Sequence, residues 1–184
     1  MRKKILFLAG MMACCSLAGA QEISKTWVAD KGNGTYQNPV LHADYSDPDV
    51  CAAGDDFYMT ASSFNCIPGI PILHSNDLVN WSLVNYALPV QEPEEFFDKA
   101  QHGKGVWAPA IRFHNGEFYI YWGDPDYGIY MIKTKDPKGK WSKPVLVKAG
   151  KGMIDATPLW DEAGKVYLIH AYAGSRSGVN SILV

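Results

Sequence analysis

Short apolar runs alternate with turn sequences along most of this chain. The runs are rich in β-branched and aromatic residues and lie at 57–60, 70–73, 118–122, 129–132 and 145–147. Clusters of Gly, Asn, Asp and Pro separate them, at 54–56, 115–116, 136–139 and 163–164. Such runs and breaks are typical of short strands joined by tight turns. Only 92–99 has a helical pattern, so the sequence predicts an all-β fold.

Three stretches repeat one plan, at 47–60, 108–121 and 155–169. In each, a proline precedes a tyrosine by nine or ten residues. A tryptophan, Trp81 or Trp141, then follows the first two tyrosines by 23 and 22 residues. Four strands per unit and a repeat of this length predict a β-propeller. A β-sandwich is the alternative, but it does not explain why Pro, Tyr and Trp recur in phase.

The third unit stops early. Residues 180–184 stand where its middle strand belongs, and its tryptophan is expected near position 190. Propellers close with four to eight blades. We therefore expect about two and a half blades here, as the front part of a longer protein.

The repeat also predicts a site. Asp47 and Asp155 stand at the openings of the first and third units. In a radial fold these openings converge, so the two carboxylates are expected to share one pocket. Paired carboxylates are what hydrolysis of a glycosidic bond requires.

The first residues have the pattern of an export signal. A basic start at 2–4 is followed by a mainly apolar stretch at 5–17 and by Ala18-Gly19-Ala20. We expect residues 1–20 to be a signal peptide, 21–37 a lead-in, and 38–184 the partial propeller domain. A membrane anchor and lipidation at Cys14 are the alternatives. The expected location is therefore the periplasm or the exterior.

The rest of the composition limits the classes of binding partner and cofactor. Without residues 1–20 the chain has an excess of five acidic residues, which argues against nucleic acid. No later stretch is long and apolar enough to span a membrane. Five scattered His show no metal-ligand spacing, and no cofactor motif occurs. Cys51 and Cys66 are equally compatible with a disulfide and with two buried thiols.

Several motifs, taken in order, resemble glycoside hydrolase family 43. They are Asn38-Pro39-Val40-Leu41, Ser46-Asp47-Pro48-Asp49, 58–64, Pro68-Gly69-Ile70-Pro71-Ile72, 74–81, Gly105-Val106-Trp107-Ala108-Pro109 and Ile154-Asp155. The resemblance covers nearly all of 38–184. It implies a five-bladed propeller that hydrolyses xylan, arabinoxylan or arabinan oligosaccharides with inversion, as a β-xylosidase or α-L-arabinofuranosidase.

The resemblance also implies roles. Asp47 matches the general base, and Asp155 matches the aspartate that orients the general acid and tunes its pKa. The acid is a Glu of the fourth blade, which lies beyond Val184, so this chain alone is expected to be inactive. No cofactor is implied. Some propeller hydrolases hold an axial calcium ion, but no liganding loop for it stands out here.

Each of these candidates also has a purely structural interpretation. Asp44 and Asp49 compete with Asp47, and either aspartate of the pair could be a turn residue. Trp107 opens the second unit where the others carry Asp, so it and Phe64 are candidates for stacking on sugar; both could equally be packing residues.

Three further aromatic residues fit the core better than the cleft: Trp122, Trp160 and Tyr172. Ile154 is a candidate for the wall of the pocket. The acids of 123–128 are expected to be solvated in a hairpin loop. Two functional alternatives stay open: a noncatalytic sugar-binding propeller or inactive remnant, and an inverting phosphorylase acting on mannosides.

Overall fold

The computed structural model describes residues 26–64 and 67–178. Within them the chain forms eleven strands and two four-residue helices, so the all-β prediction is confirmed. The expected signal peptide, Cys66 and the strand expected at 180–184 lie outside the described residues. None of the described helices has the length and apolar character that a membrane crossing requires.

The first sheet is a complete antiparallel blade. Its strands are β1 (Asp49–Ala53), β2 (Asp56–Thr60), β4 (Gly69–Ser75) and β5 (Ser82–Leu88), in the order β1-β2-β4-β5. The intervening β3 (Ser63–Phe64) leaves this sheet for the next one. The blade thus contains the four strands that the repeat predicts.

The second sheet repeats this arrangement. It contains β6 (Gly105–His114), β7 (Glu117–Asp124), β8 (Gly128–Thr134) and β9 (Val145–Ala149), and β3 pairs with the innermost strand β6. The third sheet consists of β10 (Met153–Trp160) and β11 (Val166–Tyr172). The described residues therefore form two blades and the inner half of a third, which is a partial β-propeller.

The main core lies between the first two blades. Alternate residues of the central strands are fully buried there, among them Ile72, Ile111, Ile120 and Trp122. Trp141 closes this core, and its indole donates a hydrogen bond to the carbonyl of Pro137 at 3.2 Å. A second, smaller cluster joins the second blade to the third through Ile129, Met153 and Ala156.

The helices differ in part from the prediction. The first, α1 (Glu94–Phe97), lies inside the predicted 92–99 but is shorter. The second, α2 (Gly174–Ser177), follows β11 and was not predicted. One turn of helix carries too little periodicity for a sequence pattern to show.

One polar expectation is wrong. Asp124 ends β7 and is fully buried, whereas the acids of 123–128 were expected to be solvated. Its Oδ1 accepts a hydrogen bond from the backbone N–H of Asp126 at 2.9 Å, and its Oδ2 lies 3.4 Å from Nε2 of the buried Gln91. The segment is a tight hairpin between β7 and β8, but it packs inward against residues distant in sequence.

The lead-in is attached to the first blade. Asp30 and Tyr36 form an isolated β-bridge, and Asp30 Oδ2 accepts a hydrogen bond from Asn80 Nδ2 at 3.0 Å. The same Asn80 amide donates to Asp77 Oδ2 at 2.8 Å. The lead-in therefore contacts the turn that connects β4 to β5.

Candidate active site

Each of the three inner strands carries the same irregularity where its blade begins. In the second blade the pairing with β7 moves from Trp107↔Gly123 to Ala110↔Tyr121, so three residues oppose two. In the third it moves in the same way from Ile154↔Ala171 to Thr157↔Ile169. Such β-bulges bend a strand and redirect a side chain, and they are frequent next to active sites.

The first blade has an equivalent bulge. The backbone N–H of Ser62 donates to the carbonyl of Ser46 at 2.9 Å, and the regular ladder resumes at Asp49↔Thr60. The residue after the first bulge position has a positive φ in every blade: 49° at Asp47, 37° at Ala108 and 54° at Asp155. Asp47 and Asp155 therefore occupy equivalent positions in two blades.

This register corrects two details of the predicted repeat. The residue of the second blade that corresponds to the two aspartates is Ala108, not Trp107. In the third blade Ala156, not Pro158, corresponds to Pro48 and Pro109. The hairpin between β10 and β11 is longer than its counterparts, so the apparent phase of Pro158 was coincidental.

The two aspartates face one cavity. Asp47, Ala108 and Asp155 line a pocket of about 240 Å³, together with the residues that follow each of them in its strand. The structure thus brings together two carboxyl groups that are 108 positions apart in the sequence. This is the arrangement that the repeat led us to expect.

Hydrogen bonds fix the Asp47 side chain. Its Oδ2 accepts from the hydroxyls of Ser46 and Ser62, both at 2.9 Å. Ser62 Oγ in turn accepts from the backbone N–H of Ala108 at 2.9 Å. Asp47 is thereby connected to the opening of the second blade, and its carboxylate has one oxygen facing two donors.

Asp155 has a raised pKa. Partial burial is the larger cause, and the negative charge of Asp47 adds to it. The side chain is exposed, so solvent screens part of this interaction. Because like charges in one pocket resist joint ionisation, the two carboxyl groups are electrostatically coupled.

The rival aspartates differ from Asp47 in their contacts: Asp49 lines the same pocket but has other hydrogen-bond partners, whereas Asp44 lines a different cavity. Asp49 Oδ2 accepts from the backbone N–H of Ile111 at 2.8 Å and from Arg112 Nη1 at 2.5 Å. This carboxylate is bound to the second blade. Asp44 lies in an adjoining cavity of about 500 Å³ that does not include Asp47.

The candidate sugar-binding aromatics lie beside the pocket. The rings of Phe64 and Trp107 are in edge-to-face contact, with centroids 5.9 Å apart. Phe64 lines the adjoining cavity, which shares Ser46 and Ser62 with the surroundings of Asp47. Both rings are half-buried, so each keeps some surface for a ligand.

The other candidates lie elsewhere. Trp122 is fully buried in the main core, and Trp160 stacks on His114 with centroids 4.5 Å apart. Tyr172 contacts the ring of His170. The Cα of Ile154 lies against Gly123 rather than in the wall of the aspartate pocket.

Sequence reasoning missed Ser62 and Arg112. Ser62 stands in an ordinary Ser-Ser pair, and Arg112 in an ordinary strand, so neither residue type was a signal by itself. Within the described part of the chain, no three His, Cys, Asp or Glu side chains are grouped as a metal ion would require. The site is thus built from carboxylates, hydroxyls, aromatic rings and one guanidinium.

The fold and the site define the class as a β-propeller in which two blades each contribute an aspartate to one cavity. Comparison with known families agrees: the model described as "Glycosyl hydrolases family 43" matches residues 36–184. The chain belongs to this family.

Individual relatives carry glycosidase names. A "Beta-xylosidase" of Formosa agariphila is 36% identical over 173 residues, which is 89% of this chain and 29% of the relative. "Non-reducing end alpha-L-arabinofuranosidase BoGH43B" of Bacteroides ovatus is 36% identical over 139 residues, 73% of this chain and 26% of that protein. The chain thus spans less than a third of the length of these relatives.

Solved structures show the same fold. A structure titled "Crystal structure of the GH43 BlXynB protein from Bacillus licheniformis" superposes with a TM-score of 0.65 at 32% identity, over 73% of this chain and 28% of that one. A GH43_12 protein from a capybara gut metagenome has a TM-score of 0.62 at 36% identity, over 73% and 26%.

Proposed function

We propose that the protein is an exported glycosidase that removes pentose units from xylan-, arabinoxylan- or arabinan-derived oligosaccharides with inversion. One observation carries this proposal: Asp47 and Asp155, from equivalent bulges of two blades, line one pocket. Membership in glycosyl hydrolases family 43 and the xylosidase and arabinofuranosidase names of the relatives support the substrate class.

Asp47 is the proposed general base. An inverting glycosidase places a water molecule between the base and the anomeric carbon, and its two working carboxyls stand about 6.5–9.5 Å apart. Both serine hydroxyls donate to Oδ2 of Asp47, so we assign the water to Oδ1. That oxygen accepts the proton as the water attacks.

Asp155 is the proposed partner of the general acid. The family resemblance implies that a Glu of a later blade donates a proton to the leaving oxygen. A carboxylate nearby raises the pKa of that acid, so the acid stays protonated near neutral pH. The charge of Asp47 contributes to the raised pKa of Asp155, which supports a pocket in which carboxyl groups interact in this way.

Phe64 and Trp107 are the proposed sugar contacts. An aromatic face packs against the C–H bonds of a sugar ring, and both rings keep some exposed surface, with Phe64 in the cavity that also includes Ser46 and Ser62. Export rests on the basic and apolar pattern of residues 1–20 and is likewise a proposal.

The test uses the full-length gene product with aryl β-xylopyranoside and aryl α-L-arabinofuranoside. Asp47→Asn should lower kcat by a factor of about 10²–10⁴, the usual contribution of a general base. Asp55→Asn is the matched control, because it changes an exposed aspartate in the turn between β1 and β2, outside both cavities. Retained activity in Asp47→Asn would remove Asp47 from the mechanism.

The same protein tests inversion and the alternatives. Proton NMR of the first-formed sugar should show the anomer opposite to that of the substrate. Sugar binding without hydrolysis by the wild type would favour the noncatalytic propeller, and a requirement for phosphate would favour a phosphorylase.

A further inference from the structure

The side chain of Arg112 contacts the two other blades at once. It extends from β6 in the second blade, and its Nη1 donates to Asp49 Oδ2 of the first blade at 2.5 Å. Its Nη2 donates to Thr157 Oγ1 of the third blade at 2.9 Å. One guanidinium therefore joins the inner strands of three blades.

The two partners of Arg112 occupy equivalent positions. Asp49 comes two residues after Asp47, and Thr157 comes two residues after Asp155. Because the bulges of the two blades are equivalent, Arg112 forms hydrogen bonds with both strands at equivalent positions, two residues after each aspartate.

Among the described residues, backbone hydrogen bonds do not join the first blade to the third. Their inner strands belong to separate sheets. Their spacing therefore depends on side chains, and the guanidinium suits this task because its donors have a rigid, planar arrangement. Nη1 also donates to the Ile111 carbonyl at 2.7 Å, and Asp49 accepts from the Ile111 N–H, so the bridge is anchored to the backbone of the second blade.

The bridge lies in the wall of the site. Asp49, Arg112 and Thr157 all line the pocket of Asp47 and Asp155. The Arg112 and Asp49 side chains are 36% and 32% exposed, so the ion pair is partly shielded from water. The bridge therefore connects the strands that carry the two candidate carboxylates at the pocket itself.

We propose that Arg112 is a positioning residue that sets the separation of the Asp47 and Asp155 carboxylates by joining Asp49 to Thr157. This inference rests on the proposed glycosidase function. A displacement of about 1 Å in a catalytic group can reduce a rate about 100-fold. Losing the bridge should thus lower kcat much more than it raises KM.

The decisive variant is Arg112→Lys in the full-length protein. Lysine keeps the positive charge, but a single ammonium group cannot reproduce the two-armed contact. We expect kcat to fall about 100-fold, close to the loss in Arg112→Met, with KM for the aryl glycoside changed less than about threefold. Wild-type kcat in Arg112→Lys would show that only the charge matters and would overturn the proposal.

A milder variant covers the case in which Arg112 variants fold poorly. Thr157→Val keeps the volume of the side chain and removes only the hydrogen bond from Arg112 to the third blade. It should lower kcat by about tenfold, and the double variant Arg112→Met/Thr157→Val should be no worse than Arg112→Met, because coupled residues are not additive. Additive losses would contradict a shared bridge.

The control is Arg176→Met. Arg176 donates to Asp126 at 3.2 Å, outside the aspartate pocket, so its loss should leave kcat unchanged. If the wild type hydrolyses neither glycoside, the proposed function fails, and crystal structures still decide the bridge. A changed Asp47–Asp155 separation in Arg112→Lys supports it, and an unchanged separation overturns it.

Discussion

The buried carboxyl of Asp124 leads to a prediction about the pH dependence of the protein's stability. The side chain is fully buried at the end of β7, and burial, with a contribution from the charge of Asp126, raises its pKa to about 6. Gln91 Oε1, on the same buried amide that faces Asp124, has no hydrogen-bond partner among the described residues. The folded protein therefore holds a poorly compensated charge at neutral pH.

The size and sign of the effect follow from the two pKa values. The ordinary pKa of 3.8 applies to the unfolded chain and about 6 to the folded one, so the folded protein binds more protons between these values. The stability that the protonated Asp124 carboxyl contributes is therefore fully present below about pH 4 and is lost as pH rises towards 6. At about 1.4 kcal/mol per pKa unit, burying Asp124 costs about 3 kcal/mol at pH 7.5, where it is ionised in the folded protein, and about 1 kcal/mol at pH 4.5, where it takes up a proton on folding.

Asp124→Asn should remove this cost. The Asn carbonyl can still accept from the Asp126 N–H, and its amide can donate to Gln91 Oε1 if the Gln91 carboxamide rotates. We expect a gain of about 3 kcal/mol in the free energy of unfolding at pH 7.5 and about 1 kcal/mol at pH 4.5.

Urea unfolding of the wild type and the variant at both pH values measures the gain. The exposed turn residue Asp55 gives the control, and Asp55→Asn should stay within about 0.5 kcal/mol of wild type at each pH. A loss of stability in Asp124→Asn at pH 7.5, or a gain equal at both pH values, would refute the reasoning.

Two further substitutions test the packing and the turns. Gly123→Ala would place a Cβ 2.6 Å from the carbonyl oxygen of Met153 and 2.7 Å from Cα of Ile154, so we expect a loss of about 1–3 kcal/mol in urea unfolding. Gly139→Ala should lose less, because its Cβ would lie 2.9 Å from the movable Asp136 carboxylate and at an ordinary contact distance of 3.5 Å from the nearest backbone atom; an equal loss would contradict the backbone clash. Asp77 accepts from the side-chain amide of Asn80 and from the backbone N–H groups of Asn80 and Val79, and these hydrogen bonds lower its pKa to about 2, so Asp77→Ala should cost about 1 kcal/mol at pH 7. That difference should shrink as pH falls from about 4 towards 2, and thermal unfolding that shows a constant difference would argue against these bonds.

Much of the fold was accessible from the sequence because it depends on local and periodic signals. The β-branched runs gave the strands, and the tyrosines and tryptophans gave the blade repeat. The tryptophans recur because each indole closes the turn before the outer strand, as Trp81 does by donating to the Leu78 carbonyl at 3.0 Å and Trp141 by donating to Pro137.

The details of the site were less accessible because they depend on register. A one-residue bulge decides that Ala108, rather than Trp107, matches the aspartates, and no residue type announces a bulge with Ala at positive φ. Asp124 was misjudged for a related reason. A Gly-Asp-Pro-Asp sequence is typical of an exposed turn, and only the packing of distant elements buries its first carboxyl.

The repeated bulge explains how one backbone serves different purposes in the three blades. A positive φ costs a residue other than glycine about 1 kcal/mol or more, and Asp tolerates it better than most because its short side chain bonds locally. Asp47 does so through Ser46, whereas Ala108 has no such side chain and is held instead by its N–H bond to Ser62. The second blade therefore contributes no carboxylate at its bulge; it contributes the backbone that holds Ser62 and the arginine that joins its neighbours. In this arrangement the strained positions of the first and third blades carry the proposed chemistry, and the blade between them keeps the two in place.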